Sequence, residues 1–364
     1  MSIILFIIIL ATLILVHELG HFIAAKRAGV RVDEFGLGFP PRLWKKKIGE
    51  TVYSINAFPI GGFVKIFGED PDEESLKGKD NARSLTHKAR HIQAWIIGAG
   101  ITFNLLFAWI LISLGFVIGL PYSVDDSQYG LRVQNAGLTI TQVMPKTPAE
   151  KAGLKGGDII MSLVSGSDSL TSPKVVTAQK FIASHDEMKL TYLRGAEINT
   201  VVVHSEAGVI AGRPAIGISM DIVGLLKLPV YEALFVGAKT TASITGEMAL
   251  GILDFLKNIF VGHANFAEVS GPVGIVGIVS DASHLGLIHL LSLTAIISIN
   301  LAIINILPFP ALDGGRLFFL LIESIKRSPI KPEVTNIANG IGFLVLIAFM
   351  VFVTFHDIVK LMQS

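Results

Sequence analysis

Apolar and polar positions divide the chain into four long apolar stretches and the polar segments between them. The apolar stretches cover roughly residues 2–25, 92–120, 288–322 and 336–356. Each can cross a bilayer, because a helix of about 20 apolar residues spans the hydrocarbon core. The third stretch is longer than one span and contains Pro308 and Pro310, which remove backbone donors and predict that the helix opens there. We predict an α-helical polytopic membrane protein with four transmembrane helices.

The distribution of basic residues predicts the orientation of these helices. Residues 26–91 carry 13 Lys and Arg, whereas the much longer segment 121–287 carries 12, and the loop 326–335 is again basic. Basic loops remain on the cytoplasmic side of the membrane. We therefore expect 26–91 and 326–335 to be cytoplasmic, with both termini and 121–287 on the opposite side. Residues 68–90, rich in charged and small side chains, predict a mobile cytoplasmic loop.

Residues 50–67 predict a β-hairpin associated with the membrane. β-Branched and aromatic residues alternate there around a turn at Pro59–Ile60–Gly61–Gly62. The edge strand of such a hairpin has unpaired backbone groups to which an extended substrate can add as a further strand. We expect Gly61, Gly62 and Phe63 to contact such a substrate. An ordinary loop hairpin without this role is the alternative.

The segment between the second and third apolar stretches predicts an aqueous domain followed by a helix. Residues 124–220 are polar, and 137–166 has the pattern of a strand, a turn, a short helix, a Gly-Gly turn and a second strand. Residues 229–262 predict an amphipathic helix at the membrane surface, with a soluble linker helix as the alternative. Gly and Pro residues break the apolar end of the next segment at 270–275. We therefore expect the whole of 229–285 to lie at the membrane interface.

This pattern gives four parts. Residues 1–120 form the first part of a membrane core, 124–220 a domain on the far side, 229–285 an interfacial segment, and 286–364 the second part of the core.

The composition agrees with a membrane protein and argues against several other classes. The chain is 51% hydrophobic and only 16% charged, whereas soluble domains average about 25% charged. Its net charge of +1 gives no reason to expect a nucleic-acid partner. The absence of cysteine excludes disulfides, thiolate metal sites and a cysteine nucleophile. The first apolar stretch has no basic residue before it and is longer than a signal peptide needs, so it predicts a retained helix.

The stretch HELGH, residues 17–21, carries the clearest chemistry. Ionisable residues inside an apolar span indicate a functional site, because they are costly to place there. On a helix His17 and His21 lie on one face, so both imidazoles can bind one Zn²⁺. Glu18 lies on the neighbouring face, where it can act as the general base that activates water. Two surface histidines are the alternative, which the apolar setting makes weaker.

Two further polar residues lie at a similar depth in the predicted helices. Measured along the helix from the basic cytoplasmic anchors Lys26, Lys326 and Arg90, His17 lies about 14 Å, Asp313 about 20 Å and Asn104 about 21 Å into the membrane. We therefore expect one shared site, in which Asp313 is the third metal ligand and Asn104 holds the substrate backbone or oxyanion. As alternatives, Asp313 caps a helix that restarts at Arg316, and Asn104 makes a packing hydrogen bond.

At these positions the chain resembles the site-2 protease family of intramembrane zinc metalloproteases, and most closely the bacterial regulator of sigma-E protease group. The resemblance covers nearly the whole chain. It rests on VHELGH at 16–21, PIGGFVK at 59–65, GxxxN at 100–104, SGPVGI at 270–275 and NxxPxPxLDGG at 305–315. It implies one zinc ion held by His17, His21 and Asp313, with Glu18 catalytic. It also implies that Asn104 and Asn305 lie near the substrate.

The run PAEKAGL at 148–154, followed by GGDII at 156–160, resembles a PDZ domain. This resemblance implies a peptide groove near Gly137 and Leu138 and a single extracytoplasmic PDZ domain, whereas many relatives have two. Family members also usually carry Pro where this chain has Ile101.

The family resemblance further implies a multi-pass protein of the bacterial cytoplasmic membrane that cleaves transmembrane segments of single-span proteins. The substrates would be anti-sigma factors already shortened by an upstream first-site protease, and also signal-peptide remnants, with the PDZ domain restricting access to trimmed substrates. Two other functions fit the sequence less well. A catalytically idle scaffold would not be expected to keep Glu18 and all three ligands, and a transporter would need more spans and an internal repeat.

Overall fold

The computed structural model describes residues 2–69, 78–125, 129–210, 213–263 and 269–363. Its helices are α1 (Ser2–Arg27), α2 (Arg90–Ile118), α3 (Pro148–Lys151), α4 (Val175–Ser184), α5 (Val230–Val261), α6 (Pro272–Leu285), α7 (Leu287–Ile306), α8 (Asp313–Lys326) and α9 (Pro332–Gln363). Short 3₁₀ turns lie at Asn81–Arg83, Leu85–His87 and Gly130–Arg132. The strands are β1 (Val32–Ile48), β2 (Thr51–Ile66), β3 (Leu120–Ser123), β4 (Val133–Val143), β5 (Ile159–Ser165), β6 (Asp168–Thr171), β7 (Glu187–Arg194), β8 (Glu197–His204), β9 (Glu206–Ile210), β10 (Arg213–Ala215) and β11 (Ile218–Leu226).

Four helices within the described ranges are long and apolar enough to cross a membrane. They are α1, α2, α7 and the part Pro332–Lys360 of α9. Together with the β-sheets they fit the predicted polytopic membrane protein. The third apolar stretch is broken as predicted, because α7 ends at Ile306 and α8 begins at Asp313. Ile101 does not interrupt α2, which is continuous from Arg90 to Ile118.

The chain divides into two compact units. The helical unit contains the chain up to Ile112, Val236–Ser280 and the chain from Ser292 onward. The sheet unit contains Ser113–Phe235 and Asp281–Leu291.

The predicted hairpin at 50–67 is present as strands, but its pairing differs from the prediction. The reversal lies at Gly49 and Glu50, between β1 and β2, and both halves of β2 pair with β1. Residues 51–56 pair with 42–48, and 62–66 pair with 32–37. The prediction missed β1 because its sequence, VDEFGLGFPPRLWKKKI, contains Gly and Pro residues that are typical of loops. Within the predicted loop 68–90, residues 70–77 lie outside the described residues.

The β1–β2 sheet packs against the C-terminal end of α1 and the N-terminal part of α2 in the helical unit. Their contact is a buried apolar cluster formed by small and β-branched side chains. The cluster contains Ala24, Ala25, Val30, Val32, Val64, Ile66, Leu85, Ile96 and Ala99. It holds β2 beside the stretch of α1 that carries the histidines.

The sheet unit has the strand order β3-β11-β4-β5-β7-β8, with β6 paired to β5. The predicted succession of strand, short helix, glycine turn and strand is present as β4, α3 and β5. The sheet starts at Leu120 and continues to Leu226, so it is longer than 124–220 at both ends. Its core consists of large apolar side chains, including Leu138, Ile140, Ile160, Leu163, Met188, Leu190 and Ile216.

The predicted peptide groove at Gly137 and Leu138 is wrong. Leu138 pairs with Ile222 of β11 at one edge of β4 and with Ile160 of β5 at the other. Gly137 pairs with Val223. A strand with partners at both edges cannot receive a further strand, and the Leu138 side chain is buried in the core.

The predicted helix at 229–262 is present as α5, and its location at a membrane surface stays a prediction. The SGPVGI stretch that follows begins α6, and the buried carboxylate of Asp357 accepts hydrogen bonds from the backbone N–H groups of Gly271 (3.2 Å) and Gly274 (2.7 Å). This stretch therefore connects the start of α6 to α9 within the helical unit, since a carboxylate satisfies the free N–H groups of a helix N-terminus.

Candidate metal centre

Helix α1 turns one face toward the interior of the helical unit, and both histidines lie on it. The buried residues Ile9, Leu13, His17, His21 and Ala24 recur every three or four positions. The two imidazole rings meet edge to face with 4.8 Å between their centroids. The predicted convergence of His17 and His21 on one point is therefore present.

Helix α2 approaches this face of α1 at two glycines. A Cβ atom at Gly20 would lie 2.5 Å from the carbonyl oxygen of Ala99. A Cβ atom at Gly100 would lie 2.4 Å from His21 Nε2 and 2.7 Å from His17 Cε1. Only glycine fits at either position, because real Cβ atoms do not come within 3.0 Å of other heavy atoms. Gly100 thus provides the space that the imidazoles occupy.

Asp313 reaches the same point from the start of α8. Leu312 occupies the N-cap position and Asp313 is the first helical residue, without a side-chain cap bond. The alternative role of Asp313 as an N-cap is therefore not supported. The turn before α8 is tight, since a Cβ atom at Gly314 would lie 2.2 Å from the carbonyl oxygen of Leu307.

The three donor atoms form a nearly equilateral triangle. His17 Nε2 and His21 Nε2 lie 3.1 Å and 3.2 Å from Asp313 Oδ2, and 3.2 Å from each other. In a tetrahedral zinc site with bonds of about 2.0–2.1 Å, ligand atoms are separated by about 3.3–3.4 Å. Asp313 Oδ2 is buried and has no hydrogen-bond partner within the part of the chain described. The three residues therefore fit a zinc ion.

A backbone carbonyl determines which nitrogen of His21 can bind metal. His21 Nδ1 lies 2.9 Å from the carbonyl oxygen of Ile96, in a buried position. Since a carbonyl only accepts hydrogen bonds, Nδ1 carries the proton and donates it. Nε2 then presents a lone pair toward Asp313 and His17, as a neutral histidine ligand requires.

A cavity of about 320 Å³ opens onto the three donor atoms, and Glu18 lines it together with them. Phe63 of β2 also lines the cavity. The same strand comes close to Glu18, because a Cβ atom at Gly62 would lie 3.3 Å from Glu18 Cγ. The structure thus brings together Glu18, the three predicted ligands, Gly62 and Phe63.

An ion pair that the sequence analysis missed also lines this cavity. It joins Glu69, just after β2, to Arg316 of α8. Arg316 follows Asp313 by three residues, so both side chains lie on the same side of α8. That spacing is the signal that identifies Arg316 from sequence, whereas Glu69 has no comparable signal.

Three other predicted site residues lie apart from the cavity lining within the described ranges. Asn104 is fully buried, and its Nδ2 lies 3.2 Å from His17 Nδ1, behind the imidazole. Asn305 is partly buried on α7. Gly61 packs against the ring of Phe39, where a Cβ atom would lie 2.3 Å from it.

Comparisons with known proteins identify the family of the chain. The model of peptidase family M50 matches residues 5–349, a range that contains His17, Glu18, His21 and Asp313. A relative from Nostoc sp. is 36% identical over 99% of this chain and 97% of its own. The zinc metalloprotease RasP of Bacillus licheniformis is 30% identical over 99% of each chain. The regulator of sigma-W protease RasP of Bacillus subtilis is 29% identical, also over 99% of each.

The family match contains HELGH and Asp313 and extends into all four apolar helices. The donor atoms of His17, His21 and Asp313 fit zinc. The chain therefore belongs to peptidase family M50, the site-2 protease family, and is a multi-pass membrane zinc metalloprotease.

Proposed function

We propose that this metalloprotease hydrolyses peptide bonds inside the bilayer, within transmembrane segments of single-span membrane proteins. The observation that carries the proposal is the triangle of His17, His21 and Asp313, two of whose corners lie on the apolar helix α1. His17 lies nine residues, or about 14 Å, from Lys26, and Asp313 thirteen residues, or about 20 Å, from Lys326. Both positions are near the middle of a hydrocarbon core about 30 Å thick.

Each residue of the site has a distinct role in this proposal. His17, His21 and Asp313 would hold the zinc ion, a set of three protein ligands that is typical of catalytic sites. Zinc bound there would supply Lewis-acid catalysis for the scissile carbonyl and the attacking water. Glu18 lines the same cavity, so its carboxylate can accept a proton from the attacking water and pass it to the leaving nitrogen.

Strand β2 is the proposed docking edge for the substrate. Residues 62–66 pair with β1, and Phe63 faces the cavity that contains Glu18. A substrate segment that unwinds can pair with the other edge of residues 62–66, since strand addition satisfies its backbone groups. Gly62 keeps this edge close to Glu18 because it has no side chain.

The proposed topology gives both chain segments of the site a basic flank in the cytoplasm. The loop 26–91 and the basic segment 326–335 are cytoplasmic, and both termini and the sheet unit lie on the other side of a bacterial cytoplasmic membrane. The proposed partners are the lipid bilayer, an anti-sigma-factor-like substrate and an upstream protease that shortens it first. Signal-peptide remnants are further proposed substrates. The name of the Bacillus subtilis relative, regulator of sigma-W protease, supports the anti-sigma assignment.

We also propose that the sheet unit is a PDZ-like domain that selects trimmed substrates by their chain ends. Residues 218–221 of β11 pair with β4 at one edge, and within the described pairs β3 takes the other edge only from Val223 onward. Helix α4 packs beside β10 and β11. An edge next to a helix is the arrangement that accepts an extended peptide.

A comparison of two trimmed substrates tests this proposal. A substrate with a free terminal carboxylate should be cleaved faster by the full-length protein than the same substrate with an amidated end. Equal rates would contradict selection by the chain end.

The variant Glu18→Gln tests the catalytic proposal. Purified, zinc-loaded protein is reconstituted in vesicles with a single-span reporter, and cleavage is followed together with zinc content. The variant should keep wild-type zinc content and lose at least about 100-fold in cleavage rate, in line with the loss of a general base. Cleavage at the wild-type rate would contradict the role of Glu18.

A further inference from the structure

Asn104 lies against the back of one metal-ligand histidine. Its Nδ2 is 3.2 Å from His17 Nδ1, in a buried position. Its Oδ1 is also buried and has no hydrogen-bond partner within the described residues. Its backbone carbonyl accepts a 2.8 Å hydrogen bond from the hydroxyl of Ser298, which ties this turn of α2 to α7. The side chain is therefore held in place beside His17.

The protons of His17 determine how the Asn104 amide is oriented. His17 Nε2 faces Asp313 and His21 as a lone-pair donor, so a neutral His17 carries its proton on Nδ1. That proton requires an acceptor, which an NH₂ group cannot provide. A half-turn of the amide exchanges its oxygen and nitrogen without moving other atoms. After the exchange, Oδ1 accepts from Nδ1–H, and the buried oxygen gains the partner it lacks.

The same arrangement is present at the second histidine. The carbonyl oxygen of Ile96 accepts from His21 Nδ1 at 2.9 Å. Ile96, Gly100 and Asn104 are four residues apart on α2 and therefore share one face of that helix. Gly100 makes room for both imidazoles, and the residues on either side provide one acceptor for each.

We propose that Asn104 is a positioning residue of the metal centre. Its Oδ1 holds His17 in the tautomer whose Nε2 binds zinc, and fixes the plane of the ring. Acceptors of this kind orient metal-binding histidines and raise their basicity, and their removal weakens metal binding about 10- to 100-fold. This role replaces the predicted contact with the substrate, because the side chain is fully buried behind His17. The inference rests on the proposed ligation of zinc by His17.

The test measures zinc affinity by chelator competition on the purified full-length protein. Asn104→Leu has a similar volume and no acceptor, and we expect it to bind zinc about 10- to 100-fold more weakly. Asn104→Asp keeps an oxygen at the same place and should bind zinc within a few-fold of wild type. Asn104→Ala serves as a second non-accepting variant if Asn104→Leu fails to fold, and the melting temperatures of the metal-free proteins report folding.

Two further readouts, the cobalt(II) spectrum and KM, separate a positioning role of Asn104 from a contact with the substrate. The visible spectrum of the cobalt(II)-substituted protein should change in Asn104→Leu and remain close to wild type in Asn104→Asp. Unchanged zinc affinity in Asn104→Leu and Asn104→Ala, or a raised KM as the only effect, would overturn the inference. Asn104 would then be assigned to substrate binding. The control His17→Ala keeps the two proposals apart. If that variant retains zinc, the metal-site assignment itself fails, whatever Asn104 does.

Discussion

Gly100→Ala should destroy the metal centre while leaving the helix intact. The new Cβ would lie 2.4 Å from His21 Nε2, and ordinary contact begins near 3.4 Å, so the imidazole or the helix must move by about 1.0 Å. Metal–ligand distances tolerate only about 0.2 Å. The movement is therefore about five times larger than the site can absorb. We expect zinc affinity to fall by at least about 100-fold, more than the loss of an outer hydrogen bond causes.

The variant Gly98→Ala, two residues earlier on the same helix, is a matched control. A Cβ atom at Gly98 would have no atom within 4 Å, so Gly98→Ala adds a methyl group without a clash. Both variants gain up to about 1 kcal/mol of helix propensity, so neither should unfold α2. Zinc content and affinity are measured on both purified proteins, with reporter cleavage as a second readout. Zinc binding by Gly100→Ala at the level of Gly98→Ala would refute the close packing inferred around the imidazoles.

Three other substitutions probe separate parts of the fold. Asp313→Asn should lower zinc stoichiometry as well as cleavage, because a neutral amide is a poor ligand; normal zinc content would remove Asp313 from the ligand set. Hydrogen bonds from Lys26, and secondly from Arg83, hold the pKa of Glu50 below its usual value. This contact therefore stabilises the fold above about pH 4.5, and the stabilisation is lost as the pH falls through the lowered pKa. Glu50→Gln should therefore lower the melting temperature at pH 7, and this deficit should shrink as the pH falls below about 4.5; a deficit that does not change with pH would contradict this. Asp357→Asn places an NH₂ group against the backbone N–H groups of the SGPVGI stretch and should cost about 1–3 kcal/mol, seen as a lower melting temperature in detergent; an unchanged melting temperature would show that the contact contributes little.

The sequence predicts the helices and the ligand set because each depends on local information. Long apolar runs determine the spans, and two prolines show where the third one opens. The spacing of His17 and His21 follows from the helical repeat alone. Asp313 is predicted as the third ligand because its distance from the basic end of its own helix is similar to that of His17.

The pairing of strands could not be predicted in the same way, because it depends on contacts between distant segments. Strand β1 contains Pro and Gly residues that favour a loop reading, yet it provides the partner for both halves of β2. The edges of β4 around Leu138 are taken by β5 and by β11, which is some eighty residues further along the chain. Strand propensity does not reveal such partners.

The orientation of Asn104 could not be predicted from the sequence, for a different physical reason. Helix α2 is apolar on nearly all sides, so its periodicity does not show which face is turned inward. Depth alone places Asn104 near the metal, and only the structure shows that it lies behind His17 instead of facing the cavity. Depth and orientation are thus separate pieces of information, and the sequence provides the first.

The position of the cut tests the central claim most directly. A purified single-span reporter is cleaved by the zinc-loaded protein in vesicles, and the new chain ends are identified by mass spectrometry, with Glu18→Gln as the inactive control. The geometry at His17, His21 and Asp313 predicts a cut within the apolar span of the reporter, near its middle. Cuts confined to the polar segments outside the span would contradict proteolysis inside the bilayer.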